Sequence, residues 1–595
     1  MGNFVKAYID GTEVNVPRGT SILDAAKNIN VRIPTLCYHE DLKIAGNCRV
    51  CVVEVSGQRV LHAACATPVW EGMNVLTNSP KVRAARKDII SLLVSEHNTQ
   101  CTTCFRSTNC ELQELAAEYN IDNSRYLNIL KKDYVIDRSS WSIEKDDSKC
   151  VRCQRCVRTC AELQHVNAIT VAHRGKKMNI TTFLELPLNE VVCVNCGQCI
   201  IHCPTGALTE RRYFDYIWEA IGDTSKHVII NTAPSVRVAL GEMFDLEPGT
   251  RITKKMVTAL KKIGFDAVLD TNFTADLTIV EEGHELLSRL KKAYKDKEIV
   301  ALPMITSCSP GWVKFCEHMY PEQIANLSSC KSPQQMFGAL AKTYYAKKKG
   351  IDPKDIVCVS AMPCAAKKFE ANRPEMNSSG YRDIDAGLTT REIGRMIKQA
   401  GIDFNNLDDM EYDSIMGDST GAGAIFGATG GVMEAALRTV YELITGRDVP
   451  FENLEITPVR GLEQVKEATI FLEDCLPEWS FLEGMGLRVA IAHGLTNAKY
   501  LLDQVKLGGS PYHFIEIMAC PGGCIGGGGQ PIPTTDEIRL KRIEGIYNED
   551  RAMTKRKAHE NPEIIELYND YLTDGPYGRK AHELLHTRYL KRQRY

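Results

Sequence analysis

The spacing of apolar and polar positions divides the chain into two unlike parts. Up to about residue 210 the apolar runs are short and broken by turn residues. Residues 5–9 and 13–16 read as strands around the turn Asp10-Gly11, and residues 20–28 as a helix capped by Ser21 or Thr20. Residues 82–94 have helical spacing, and 111–140 read as connecting helix and loop. Beyond 211, apolar runs at 228–231, 267–270, 299–304, 356–359, 488–492 and 514–519 predict buried strands. They alternate with helical patterns at 255–263, 390–400 and 430–443. Such alternation predicts an α/β domain with mostly parallel sheets. The expected fold is multidomain: α+β at the N-terminus, then a large two-lobed α/β domain.

Length and charge narrow the class. A chain of 595 residues can bury several cores, and 44% hydrophobic with 25% charged residues is ordinary for a soluble protein. A net charge of −3 gives no footing for a nucleic-acid or anionic-membrane partner. No apolar run approaches membrane-spanning length. The start has neither an apolar signal core nor a twin-arginine pair, and Lys6 breaks the myristoylation pattern. A cytoplasmic protein is expected.

Cysteine changes the picture. There are 23 cysteines, and without an export signal such clusters point to metal rather than to disulfides. In residues 1–80, Cys37, Cys48, Cys51 and Cys65 place a close pair between flanking thiols. That suits a [2Fe–2S] centre, with a structural zinc as the plainer alternative. In 81–125, His97, Cys101, Cys104 and Cys110 offer one imidazole and three thiols, suited to zinc or to a cluster with one neutral ligand.

Residues 140–210 carry the most specific pattern. Cys150, Cys153, Cys156 and Cys160 are followed by Cys193, Cys196, Cys199 and Cys203, then Pro204. In this two-cluster ferredoxin run the fourth cysteine of each set serves the other cube. One cube takes Cys150, Cys153, Cys156 and Cys203, and the other takes Cys193, Cys196, Cys199 and Cys160. Together the N-terminal sites imply four clusters in a row, read as one electron wire.

Three more cysteine segments lie just past predicted strands, where open α/β sheets hold their sites. They are Thr306-Ser307-Cys308-Ser309-Pro310-Gly311-Trp312, Met362-Pro363-Cys364-Ala365-Ala366-Lys367, and Met518-Ala519-Cys520-Pro521-Gly522-Gly523-Cys524. The spacing of Cys520 and Cys524 allows both thiols on one face of a helical turn. Cys316, Cys330, Cys358 and Cys475 read as buried apolar fillers.

With these residues in view, the chain resembles known families along essentially its whole length. Residues 1–80 resemble the β-grasp [2Fe–2S] domain of complex I iron–sulfur subunits and many-cluster hydrogenases. Residues 81–125 resemble the His-Cys₃ [4Fe–4S] site of the same families. The three later segments resemble the signature motifs of [FeFe]-hydrogenases, so 211–595 is expected to be the H-cluster catalytic domain.

The resemblance implies reversible interconversion of protons and electrons with H₂. The H-cluster it implies is a [4Fe–4S] cube joined by a shared cysteine to a di-iron unit carrying CO, cyanide and an azadithiolate. The other cofactors implied are one [2Fe–2S] and three [4Fe–4S] clusters. By position, Cys364 and Cys520 hold the cube, Cys524 is the shared bridge and Lys367 donates to a cyanide. Met362 and Met518 pack on the di-iron unit, and Gly421 and Gly423 belong to a segment lining the cavity. A proton route runs through Cys308, Glu282, Ser328, Glu285 and Arg289.

One position departs from the family. Its first motif has two adjacent cysteines, a proton carrier and a cube ligand, where this chain has Cys308 and Ser309. Either Ser309 ligates, or the loop shifts and Cys308 takes the iron.

Simpler readings exist. The glycine runs at 421–431 and 526–529 match no P-loop. Glu282 and Glu285 are ordinarily a solvated helix face. The basic stretch 588–595 reads as a solvated tail.

The N-terminal segments 48–55, 64–69 and 77–80 look most like catalytic subunits of multimeric, NAD-linked, electron-bifurcating hydrogenases. The expected partners are ferredoxin, a flavin- and NAD-binding subunit, or both, in a hetero-oligomer. A stand-alone ferredoxin hydrogenase is the near alternative. A non-catalytic electron-transfer subunit of a complex-I-like assembly would leave Cys364, Cys520 and Cys524 without purpose. A hydrogen sensor would need an appended signalling domain, and none is seen.

Overall fold

The computed structural model describes residues 4–122 and 135–593, so the expected connection at 111–140 is described only in part. At the N-terminus a five-stranded sheet runs in the order Thr12–Pro17, Phe4–Ile9, Met73–Leu76, Val52–Val55, His62–Ala63. The first hairpin turns on Asp10 and Gly11, both at positive φ, the pairing that tight hairpins need. Ser21 caps the helix Ile22–Lys27, its Oγ accepting from Asp24 N at 3.1 Å. The helix Pro80–Ser95 is tied to the sheet by buried Arg86, which donates to Val52 O at 2.8 Å.

The cysteine-rich middle, 135–210, has only short strands and turns around its thiols. Both preceding segments dock on it. Asn47 donates to Arg152 O at 2.9 Å, and Arg158 to Cys37 O. From the other segment, Asn98 N donates to Ser148 O at 2.9 Å and Glu111 N to Pro204 O at 3.0 Å. The row of sites expected from the sequence is therefore a fork, with two accessory sites meeting one ferredoxin-like domain.

The C-terminal domain has two lobes, each with a four-stranded sheet. One runs Ala267–Asp270, His227–Thr232, Ile356–Met362, Ala386–Thr389, all parallel. The other runs Met304–Ile305, Phe514–Met518, Gly486–His493, parallel, with Val465–Phe471 as an antiparallel edge. The strands of the all-parallel sheet are buried on both faces, which is why they read as unbroken apolar runs, whereas the edge strand Val465–Phe471 alternates with exposed positions.

The strand expected at 299–304 shrinks to Met304–Ile305. Pro303 has no N–H for a ladder, and Ile299 faces solvent. The tail is not free either. Arg592 N donates to Glu317 O at 3.0 Å, Gln593 O meets His318 Nδ1 at 2.7 Å, and Tyr589 donates to Cys330 O at 3.4 Å. Among the described residues no helix is long and apolar enough to cross a membrane.

The ferredoxin-like domain is locked onto the catalytic domain. Buried Glu210 pairs with Arg391 at 2.7 Å and with Arg395 at 2.8 Å, and Gln198 donates to Gly526 O at 2.8 Å. The backbones nearly touch: a Cβ on Gly528 would lie 2.3 Å from Cys196 O. Gly528→Ala is therefore expected to cost about 1–3 kcal/mol, as overpacking of a tight contact does. Anaerobic calorimetry checks this; a variant as stable as the parent would show the contact to be slack.

Candidate active site

The ends of five parallel strands converge on one buried cavity. Residues following four strands contribute Ala233 to Ser235, Cys308 to Pro310, Met362 to Cys364, and Met518 to Cys520 with Cys524; Thr271 follows the fifth. Strand ends of open sheets are where such sites form. Cys364, Cys520 and Cys524 are thus brought to one wall with Cys308 and Ser309.

Cys520 and Cys524 do not share a helical turn. Gly522 and Gly523 take φ of +75° and +90°, and the chain turns between the thiols. A Cβ on Gly523 would lie 2.7 Å from Thr429 N, and one on Gly527 would lie 2.3 Å from Pro363 O. Glycine is needed there to bring the loop against both lobes.

The thiols are poorly suited to an empty pocket. Burial, then repulsion from Cys364, raises Cys524 to about 12 and pushes Cys520 higher still. A cation among them reverses that balance, so the donor set fits an iron–sulfur cube.

Ser309 and Cys308 point to different neighbours. Ser309 Oγ accepts from Ala519 N at 3.2 Å, beside Cys520. Cys308 feels the charges of Glu282, Lys367 and Cys524. Lys367 lines the cavity and is held by Glu370 at 2.8 Å and by Cys308 O at 3.1 Å. Met362 and Met518 close their strands against the same space.

Gly421 and Gly423 do not line it. A Cβ at Gly421 would meet Asp550 and one at Gly423 would meet Asn272 O at 2.6 Å, so both serve helix packing. Phe426, from the same segment, reaches the cavity instead.

Behind Cys308 runs the helix Thr271–Leu290. Glu282 and Glu285, for which a solvated face is the plainer alternative to the proton route, are each only 2% exposed. Burial raises Glu282 to about 8, with Ser328 pulling the other way, and its Oε2 has no hydrogen-bond partner. Ser328 Oγ donates to Glu285 Oε2 at 3.0 Å, and half-buried Arg289 donates to Oε1 at 2.7 Å. The residues of the expected proton route therefore form a file from Cys308 outward.

The N-terminal donors also gather. One small cavity is lined by Cys150, Cys153, Cys156 and Cys203, and another by Cys160, Cys193, Cys196 and Cys199. These are the crossed sets read from the spacing. Burial raises the Cys196 thiol, and Cys520 lies close enough to add to that electrostatically. A Cβ on Gly311 would touch both Ala519 and the Cys196 side chain, at 3.2 and 3.6 Å. Cys51 and Cys65 lie 3.4 Å apart, and Cys48 N donates to Cys37 Sγ at 3.5 Å. His97 keeps Nδ1 buried without a partner, Cys104 and Cys110 interact electrostatically, and Cys101 opens the turn Cys101–Thr103.

Comparison with known proteins agrees with this geometry. Residues 226–528 match the family described as iron only hydrogenase large subunit, C-terminal domain. The chain belongs to the [FeFe]-hydrogenase family. It is an oxidoreductase acting on H₂, with N-terminal iron–sulfur domains. Residues 536–592 match the iron hydrogenase small subunit, and 2–80 a 2Fe-2S iron-sulfur cluster binding domain. Residues 86–125 match the NADH-ubiquinone oxidoreductase-G iron-sulfur binding region, and 141–209 the ferredoxin-like domain of NADH-quinone oxidoreductase subunit 3.

Among relatives, the NADP-reducing hydrogenase subunit HndD of Solidesulfovibrio fructosivorans is 48% identical, over 98% of this chain and 99% of its own. Iron hydrogenase 1 of Clostridium pasteurianum is 41% identical over 98% and 99%. The structure of a variant of the [FeFe]-hydrogenase HydA1 from Chlamydomonas reinhardtii matches 64% of this chain and 98% of its own, at 44% identity and a TM-score of 0.57.

Several residues of this hydrogenase site went unseen in the sequence. Phe426 and Gln334 line the cavity, but their side-chain types carry no metal or acid–base signal. Glu516 had one: a lone carboxylate in an apolar run. It accepts from Gly430 N and Met433 N, each at 2.7 Å, at the start of the helix Gly431–Thr445.

Glu282→Gln keeps the shape but cannot pass a proton. H₂ turnover is expected to fall about a hundredfold or more, with iron content unchanged. Loss of iron instead would mark Glu282 as structural.

Proposed function

We propose that Cys364, Cys520 and Cys524 hold the catalytic cluster, with Cys524 as its shared ligand and Ser309 oxygen in the fourth position of the cube. The observation that carries this is their convergence on one cavity, with Ser309 beside Cys520 and Cys308 beside Glu282. When bound, the cluster supplies the redox chemistry of H₂ and a base near Cys308. The chain's residues do the rest. Lys367, fixed by Glu370, presents positive charge to the cavity, and Met362, Met518 and Phe426 exclude water. Cys308, Glu282, Ser328 and Glu285 carry protons between cavity and surface, with Arg289 at the outer end.

A [2Fe–2S] centre at Cys37, Cys48, Cys51 and Cys65, and three [4Fe–4S] clusters, complete the electron path in this reading. The third cube is that of His97, Cys101, Cys104 and Cys110. The two accessory sites meet at the cube of Cys150, Cys153, Cys156 and Cys203. Electrons then reach the catalytic cavity through the cube of Cys160, Cys193, Cys196 and Cys199.

The physiological assembly we propose is a cytoplasmic hetero-oligomer with a flavin- and nucleotide-binding subunit, reducing NAD(P) and exchanging electrons with ferredoxin. Its support is the end-to-end similarity to a subunit of an NADP-reducing hydrogenase. The similar reach of the match to iron hydrogenase 1 keeps a stand-alone ferredoxin enzyme as the second reading.

Three measurements test these assignments. Infrared bands of bound CO and cyanide are expected in the matured protein; their absence would falsify the catalytic reading. Ser309→Cys replaces a hard oxygen by a soft thiolate and is expected to raise the cube's reduction potential, while Cys308→Ala should lose turnover but keep its iron. An unmoved potential, or iron loss in Cys308→Ala, would give the ligand role to Cys308. Native purification with subunit identification, assayed with NAD, NADP and ferredoxin, is expected to yield a complex; a lone, ferredoxin-only chain would favour the second reading.

A further inference from the structure

Hydrogen bonds branch at the Glu285 carboxylate. Ser328 and Arg289 are the two arms of the relay proposed above, and Ser329 makes a third. Its Oγ lies 3.0 Å from Glu285 Oε2 and 2.8 Å from His586 Nδ1. His586 Nε2 lies 3.1 Å from Glu281 Oε2. Glu281 already accepts from Tyr577 N at 2.9 Å and from the Tyr568 hydroxyl. It therefore accepts from Nε2 as well, which leaves the Nδ1 lone pair facing Ser329. Beyond His586 the ring of His582 lies 4.2 Å away, centroid to centroid, and is exposed.

The C-terminal segment holds this imidazole in place. Thr587 N donates to Ser329 O and Lys331 N to Leu585 O, each at 2.8 Å. Cys330 lies in the same cluster and is no apolar filler: its Sγ is 3.9 Å from both Glu285 Oε2 and His586 Nδ1. The ligand atoms of Glu285, Cys330 and His586 lie within 4.8 Å of one another, a spacing open to a soft cation. The carboxylate and Nδ1 are already engaged by Ser328, Ser329 and Arg289, so the network is complete as a hydrogen-bond chain.

We propose that the proton relay forks at Glu285, and that Ser329 and His586 form a second exit ending at His582. This rests on the shared relay of Cys308, Glu282, Ser328 and Glu285. The Glu285 carboxyl proton passes to Ser329 Oγ as the hydroxyl proton passes to His586 Nδ1. The imidazolium releases its Nε2 proton to Glu281 and on to solvent at His582. Loss of the Nδ1 proton to solvent water and return of one from solvent to Nε2 restore the first tautomer, and H₂ evolution runs the transfers backwards. No electron moves. The groups facing His586 are Glu281 and Glu285 from the long helix, Cys330 from its loop, and Tyr577 and His582 from its own segment; Tyr568 stands behind Glu281.

Parallel exits have a kinetic signature. Arg289→Leu alone, or His586→Gln alone, is expected to slow turnover less than about threefold, and the double variant about fiftyfold or more. A double variant no slower than Arg289→Leu overturns the fork. Glu282→Gln separates the two levels: parent-like turnover there would sink the shared relay, whatever His586 does.

Iron content and thermal midpoint report on folding. If His586→Gln fails to fold, Ser329→Ala, which removes only the bridging hydroxyl, takes its place. One readout needs no cluster. In the unmatured protein the infrared ring band of His586 is expected to shift on Glu285→Gln, and Ser329→Ala to abolish that response. A response unaffected by Ser329→Ala overturns the proposal.

Discussion

Buried thiols are the constraint on which the molecule depends. Burial pushes Cys156 and Cys199 of the ferredoxin-like sets and Cys520 of the catalytic cavity toward the neutral form, and neighbouring thiols add to the effect. A thiolate cannot persist in such a place without a cation close by. The clusters are therefore part of the structural balance, and the chain around them is arranged for close approach. The clearest case is the loop after Phe514–Met518. Its glycines let backbone from the ferredoxin-like domain come within van der Waals contact of the catalytic wall. The buried Glu210–Arg391–Arg395 cluster then fixes the angle at which the domains meet.

The proposed electron and proton routes approach the cavity from different directions. The Cys196 loop packs on Ala519 and Gly528, beside the cube's proposed ligands. Cys308, Glu282 and the helix Thr271–Leu290 lie on the side of the proposed relay. Glu282 is raised because it is desolvated and one of its oxygens has no partner. That is a costly arrangement for a structural carboxylate and a useful one for a group that must be neutral and charged in turn. Lys367 sits between the two sides, anchored by Glu370.

Patterning carried far at the level of architecture. The runs at 228–231 and 267–270 lie within or coincide with observed strands because parallel strands covered on both faces leave unbroken apolar stretches. The crossed cysteine sets were legible because cluster geometry imposes strict spacing. What stayed hidden depends on contacts distant in sequence. Gly421 and Gly423 look like cavity glycines but are small for the sake of Asp550 and Asn272. Cys330 looks like filler until Glu285 and His586 arrive, 45 and 256 positions away. The tail looks solvated until Glu317 meets Arg592 across 275 residues. Cys308 and Ser309 illustrate the same limit, since their roles turn on neighbours from two helices and the Cys520–Cys524 loop.

The segment 536–592 matches a family described as a small subunit, yet here it is joined covalently to the large domain. A tether makes docking intramolecular, so contacts that would be modest between separate chains can hold firmly. The docked contacts are not confined to packing. Arg542 donates to Ile525 O at 2.8 Å, next to Cys524, and Arg539 pairs with Asp41 of the N-terminal domain at 2.6 Å. One segment thus braces the catalytic loop, touches the first iron–sulfur domain and sets His586 against Glu281 of the helix Thr271–Leu290. Its place in the chain therefore ties together the cavity and the two proposed routes that lead to it.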